Sequence, residues 1–255
     1  MNKFLFRKDI HFKIKEKIFF FIRQNFKDAF KDQKHLLNKL DDIVIFDVGS
    51  HAGNTVKKYR SVFPNSQIFA FEPTESSYKK LINQFDNDKK INVSLLGLSN
   101  KADKMTFYIS ESDNLNSFKE PNERAWGFEK GEVTQEDTNT LDNFCEMNNI
   151  KHIDILKLDV QGSELDVLRG SQLFLSESKI GLIYVEWQVV PLYEDHPRYF
   201  KLGEYLGKYG YEFFNLYNIN EATSGQLRWG DSIYINTDVR QDLITRFGKG
   251  QGSGW

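Results

Sequence analysis

Cysteine is almost missing from this chain. Cys145 is the only one in 255 residues, so no intrachain disulfide can form. That usage fits a reducing, cytoplasmic setting. Long apolar runs are missing too. The longest early run is Ile18 to Ile22, far short of the ~18 apolar residues of a membrane span. Charges interrupt every apolar stretch near the start, which is not the pattern of a secretory signal. A basic folded body is also lacking. Residues 1–40 hold eleven Lys and Arg against four Asp and Glu, while the rest of the chain holds 23 against 32. The positive charge therefore lies on the N-terminal segment, which argues against a nucleic-acid partner. No internal repeat is visible.

The residues that are present describe a folded α/β chain. Apolar residues make up 40% and charged residues 27%, a globular profile. The length suits one large domain. Residues 1–40 form an amphipathic helical extension, with Ile14, Ile18, Phe21, Ile22, Phe26, Ala29 and Phe30 near a 3.6-residue period. It reads as a cap on the main domain. Weak contact with an anionic membrane surface is the alternative.

From residue 43 the period changes. Ile43–Val48, Gln67–Phe71, Val93–Leu96, Ile153–Leu158 and Ile180–Val185 are short apolar runs of the kind that form strands buried on both faces. Met105–Ile109 reads as an extra strand. Helices are expected at 53–62, from Thr74, at 141–147 with Thr140 as cap, from Ser163, and at 199–208. Tyr211–Leu216 and Ser232–Ile235 suit a closing antiparallel pair. Alternation of this kind predicts a mostly parallel sheet with helices on both faces and a reversed strand at one edge. Residues 110–137 are polar and aperiodic. The main domain is expected over residues 41–238, followed by a partly disordered tail over 239–255.

Three segments carry chemistry. In Ile45–Asn54 an apolar strand ends at Asp47 and passes through Gly49, Ser50 and Gly53 into a helix starting near Asn54. Such a turn brings backbone and a helix N-terminus close to an anionic ligand group. The spacing Gly-x-x-x-Gly departs from the dinucleotide fingerprint and disfavours a nicotinamide cofactor. A ligand-free glycine turn fits the loop equally well. Glu72 ends the second strand, 25 residues on, where an acid can accept both hydroxyls of a ribose. An exposed surface Glu is its plainer reading. Asp154–Glu164 places Lys157 and Asp159 among leucines at the end of a buried strand, where charges need partners or a task.

Together these segments resemble the FkbM family of methyltransferases from about Ile43 to Ile235. The resemblance rests on the glycine loop, Phe71-Glu72-Pro73, Gly97-Leu98-Ser99-Asn100, Thr140-Leu141-Asp142, Lys157-Leu158-Asp159-Val160 with Gly162 and Glu164, and Trp229 to Tyr234. It implies a Rossmann-like class I methyltransferase fold with a mostly parallel seven-stranded sheet. It also implies methyl transfer from S-adenosylmethionine, usually to oxygen of a sugar or another small hydroxyl-bearing metabolite. On that basis Asp47, Gly49, Ser50, Gly53, Asn54, Glu72, Leu98 and Ser99 are expected to bind cofactor. Asp159, Glu186 and Lys157 are the catalytic candidates, with Asp159 or Glu186 as proton acceptor and His196 as a weaker one. Trp126, Trp187 and His196 are expected to bind the acceptor, with Tyr193 beside them, on walls formed by residues 110–132 and the loop after Trp187. No dense acidic cluster calls for a metal. One departure stands out: the family usually has Glu where this chain has Gln161, which cannot act as a base. The rival readings are a non-catalytic cofactor- or glycan-binding domain and an NAD(P)-dependent oxidoreductase.

Overall fold

A computed structural model describes residues 27–38, 42–110, 115–125 and 130–250. Ile14, Ile18, Phe21, Ile22, Phe26 and Trp126 lie outside the described residues. Seven strands make the main sheet: β1 (Val44–Val48), β2 (Gln67–Glu72), β3 (Ile91–Leu95), β7 (Ile153–Leu158), β8 (Ile180–Gln188), β9 (Glu212–Glu221) and β10 (Leu227–Ile235). Their order is β3-β2-β1-β7-β8-β10-β9. The first five run parallel. β10 is the reversed strand, antiparallel to β8 on one side and to the outermost β9 on the other.

A second sheet joins β4 (Gly97–Leu98), β5 (Asp103–Ser110) and β6 (Lys130–Asn139) in the order β4-β6-β5. β6 corrects the aperiodic reading of 110–137. Its sequence is polar on both faces and its side chains are mostly exposed, so the period-2 signal that marks a half-buried strand is missing. Antiparallel pairing with β5 creates it instead.

Side-chain alternation along the central strands builds two cores. Phe46, Val48, Leu156, Leu158, Ile183 and Val185 point to one face. There they meet α4 (Leu141–Met147), α5 (Glu164–Arg169), α6 (Gln172–Ser176) and α7 (Tyr199–Gly207). Ile43, Ile45, Ile155, Leu182 and Tyr184 point to the other. That face is covered by α1 (Ala29–Leu37), α2 (Asn54–Val62) and α8 (Thr237–Phe247), while α3 (Glu75–Phe85) follows β2. The helix expected from Thr74 begins there, but the Thr74 side chain does not cap it.

Residues 29–37 pack as a cap. Asp28 accepts from the backbone N–H groups of Phe30 and Lys31, Ala29 and Leu36 are buried, and Tyr217 donates to Asp32 Oδ2 at 2.6 Å. α8 corrects the expected tail over 239–247. Asn236 caps it by accepting from Val239 N–H at 2.9 Å, Leu243 is buried, and Arg246 donates to the carbonyls of His35 and Leu36. Its single buried position left too weak a stripe to read in sequence. Among the described residues no helix is long and apolar enough to cross a membrane.

Gly49 fixes where the sheet opens. Its φ is +81°, and a Cβ there would lie 1.9 Å from the Asp159 carbonyl oxygen. The loops after β1 and β7 thus touch backbone to backbone, and only glycine allows it. Gly49→Ala is expected to cost about 3 kcal/mol or more in chemical denaturation. An unchanged midpoint would contradict this reading.

Candidate active site

A cavity of about 430 Å³ opens where the loops following β1, β2, β7 and β8 meet. This is the carboxyl edge of the parallel strands, the usual binding edge of an open α/β sheet. One half is walled by Gly49, Ser50, Asn54, Phe71, Glu72 and Leu98. The backbone N–H groups of Gly49 and Ser50 both donate to the Phe71 carbonyl, at 3.1 and 3.0 Å, and Ser50 Oγ donates to the Asp47 carbonyl at 2.8 Å. Glu72 is buried at the end of β2. It accepts from His51 N–H at 2.9 Å, Thr74 N–H at 3.1 Å and Thr74 Oγ1 at 2.6 Å. Burial raises its pKa, and those three donors pull it back only in part. Phe71, Leu96, Leu98 and Phe107 add an apolar slot beside it. An acid with spare lone pairs, a helix N-terminus and an apolar slot are the parts a nucleoside with an amino-acid tail requires.

The other half is acidic, with one buried cation. Lys157 stands 3.1 Å from Asp159 Oδ2 and 3.5 Å from Asp47 Oδ1. Burial alone would lower its pKa, but Asp159 and Asp47 more than offset that and raise it. Asp159 is partly open to solvent, whereas Asp47 is fully buried. Burial raises Asp47, and Lys157 opposes it. Gln161 ties the next pair together. Its Nε2 donates to Asp159 Oδ1 and to Glu186 Oε2, both at 3.0 Å. Its own oxygens accept from Tyr193 OH at 3.2 Å and from Ser117 Oγ at 2.6 Å. Glu186 is raised well above the usual carboxylate range, by burial first and then by Asp159, Glu164 and Asp231, against Lys157.

Several expected residues stand elsewhere. Asp47 is covered by Lys157 and the glycine loop and does not reach the cavity wall. Gly53 is the left-handed N-cap of α2 (φ +78°), and its missing Cβ makes room for Leu81, Gln84 and Phe85 of α3. Ser99 is buried against Gly170, its N–H donating to Asn139 O. Trp187 points to the opposite face of β8 from Glu186, because strand neighbours alternate. It is 2% exposed and packs on Tyr199 at 5.0 Å. His196 lies off the wall, stacked on buried Tyr193 at 6.2 Å. Burial and then Lys119 push it down to about 4, so it is neutral at physiological pH. Glu164 is a loop brace, accepting from the N–H groups of Val160 and Gly162. Burial pushes it up to about 7.

The strap 115–122 crosses over from the small sheet. It bridges Tyr108 with Ser117 and Pro121 with Tyr193, and puts Leu115, Asn116 and Phe118 on the cavity wall. Leu115, Asn116 and Phe118 lie within the 110–132 segment, and Gln188 and Leu192 follow Trp187, the two stretches expected to form walls, though none of these residues, nor Trp229, was singled out by itself. Trp229 lay within a quoted motif, and its alternation with Asp231 on the last strand was the available signal.

Residues 47–213 match the Methyltransferase FkbM domain. The chain belongs to the FkbM methyltransferase family. It is therefore an S-adenosylmethionine-dependent methyltransferase, and the nicotinamide alternative falls away. The chain is 26% identical over 170 residues to the 2-O-methyltransferase NoeI of Sinorhizobium fredii, covering 62% of this chain and 68% of that protein. It is 28% identical over 146 residues to Methyltransferase 1 of Beauveria bassiana, covering 51% and 59%. Among solved structures, an rRNA methylase from Streptococcus thermophilus aligns with a TM-score of 0.47 at 12% identity, over 83% of this chain and 98% of that one.

The bridge gives Gln161 a task suited to an amide. A Glu between Asp159 and Glu186 could hold the pair only while protonated, since three adjacent carboxylates cannot all ionise. The amide supplies donors at every pH. Gln161→Glu therefore adds a carboxyl whose folded pKa is raised above the ordinary ~4.3. The folded state then binds the extra proton more tightly than the unfolded state, so stability is lost as pH rises through that range. The deficit in Tm relative to wild type should widen from about pH 5 to about pH 8. A deficit equal at both would contradict the bridge.

Proposed function

We propose that the protein methylates a hydroxyl group of a sugar or similar small polyhydroxy metabolite, with Glu186 as proton acceptor. The observation that carries this is the Gln161 amide joining Asp159 and Glu186 on the cavity wall. The name of the relative NoeI, a 2-O-methyltransferase, supports oxygen as the target atom. Glycan biosynthesis in the cytoplasm is the setting we propose, in keeping with the buried free thiol of Cys145.

S-adenosylmethionine, when bound, supplies an electrophilic methyl group whose departure leaves a neutral thioether. Glu72 would hold the ribose hydroxyls, and Gly49, Ser50 and Asn54 the amino-acid end at the head of α2. Leu98, Phe71 and Phe107 would enclose the base. Glu186 removes the acceptor's proton as the new C–O bond forms, and a carboxylate with raised pKa suits that task better than an ordinary one. Asp159 and Gln161 hold Glu186 in place, and Lys157 holds Asp159. These two and Lys157 are positioning residues in this reading. Much of the acceleration comes from keeping the acceptor oxygen aligned with the methyl group.

Calorimetric titration with S-adenosylmethionine tests the cofactor half. Glu72→Ala removes a charged acceptor and releases His51 and Thr74, so affinity should fall by about 2–4 kcal/mol, roughly 30- to 1,000-fold. Undiminished binding by the folded variant would overturn the placement of the ribose.

A further inference from the structure

Gln188 and Trp229 face each other across β8 and β10 and both line the cavity on the Glu186 side. Gln188 is 5% exposed, and its Oε1 is buried with no hydrogen-bond partner among the described residues. A buried acceptor left unpaired costs free energy, so the fold alone gives no reason to keep it. Gln188 is also a wall residue of the cavity, where a modest turn of its amide would bring the oxygen to a ligand's donor. Trp229 is half-buried beside it. The pairing of β10 with β9 slips on both sides of Trp229. Irregularities of that kind re-aim a side chain next to a site. The Arg228 guanidinium lies 4.2 Å from the centre of the indole ring and holds it in place.

Hydrogen-bond acceptors prevail at this end: Gln188 Oε1, the Glu186 carboxylate and the Asp159 carboxylate. The complement is a ligand rich in donors with a flat apolar face. Lys157 is already held by Asp159, and Arg228 lies against Trp229, so a cationic ligand is the rival that the test must separate. A hydroxylated ring fits, because its C–H face packs on an indole while its hydroxyls donate at the edge.

We infer that Gln188 and Trp229 form the acceptor subsite and take a pyranose ring. The ring lies on Trp229, one hydroxyl donates to Gln188 Oε1, and a neighbouring hydroxyl is presented to Glu186 for methylation. This rests on the methyl-transfer reading above. It also explains why Trp187, the tryptophan next to Glu186 in sequence, is not the sugar platform. The cross-strand partner of Gln188 takes that place.

The test is ligand-observed saturation-transfer NMR on the full chain saturated with S-adenosylhomocysteine. The probes are methyl pyranosides of the gluco, manno, galacto, rhamno and fuco configurations, with cyclohexylammonium as the cationic control. At least one pyranoside should bind, and Gln188→Met and Trp229→Ala should each weaken it about tenfold or more. Affinity for S-adenosylhomocysteine should stay unchanged. Gln188→Met removes an unpaired buried oxygen at nearly constant volume, so it should melt no lower than wild type. The proposal is overturned if no pyranoside binds a protein that binds S-adenosylhomocysteine, if both variants bind the sugar as wild type does, if cyclohexylammonium binds instead, or if Gln188→Met lowers Tm. Failure to bind S-adenosylhomocysteine at all would instead overturn the methyl-transfer reading on which the subsite rests.

Discussion

Lys157 is 5% exposed and faces two carboxylates, Asp159 at 3.1 Å and Asp47 at 3.5 Å. Glu186 and Asp231 follow on the next two strands of the same sheet face, paired in register. One buried ammonium therefore serves a row of four acids. Its removal would leave charge without a counter-ion in a dry setting, a change that costs about 3–5 kcal/mol when a buried pair is broken. The remaining acids would then take up protons. Which carboxylates are anionic at the crevice, and so which can accept a proton or a hydrogen bond, follows from this one cation. Tyr184 and Asn218 complete the row by donating to Asp231 at 2.7 and 2.6 Å.

Around that charge the backbone is drawn tight. Gly49 meets the Asp159 carbonyl, Gly53 meets α3, and Glu72 gathers the N–H groups of His51 and Thr74. The glycine loop was expected to make room for a ligand. At Gly49 and Gly53 the space is taken first by the protein's own chain, and the cavity forms beside it. The buried acid at the end of β2 does two things at once. It fixes the loop that shapes this half of the cavity and, in the proposed reading, keeps lone pairs for a ribose.

Much of the sheet was legible from sequence because central parallel strands are continuous apolar runs and their ends are marked by charge or glycine. Glu72, Leu98, Lys157, Asp159 and Glu186 were found at the cavity for that reason: each lies at or near the C-terminal end of a strand or follows one closely. The misses have physical causes. β6 is polar on both faces, so only its pairing with β5 makes it a strand. α8 buries a single leucine. Trp187 was placed at the crevice because aromatic residues suit sugars, but on a strand the face matters more than the residue type, and parity puts Glu186 and Gln188 there instead. The role of Gln161 could not be read from local pattern either, since its two partners come from different strands and its φ of +50° turns the side chain back between them.

The most direct test of this account is the ionisation of Lys157, followed by NMR of protein labelled with ¹⁵N at lysine Nζ and assigned with Lys157→Met. The account predicts one protected ammonium signal, absent from the variant, that persists beyond the ordinary lysine pKa of ~10.4. A neutral amine at physiological pH would contradict it, because the acids of the crevice would then have to carry the missing protons themselves.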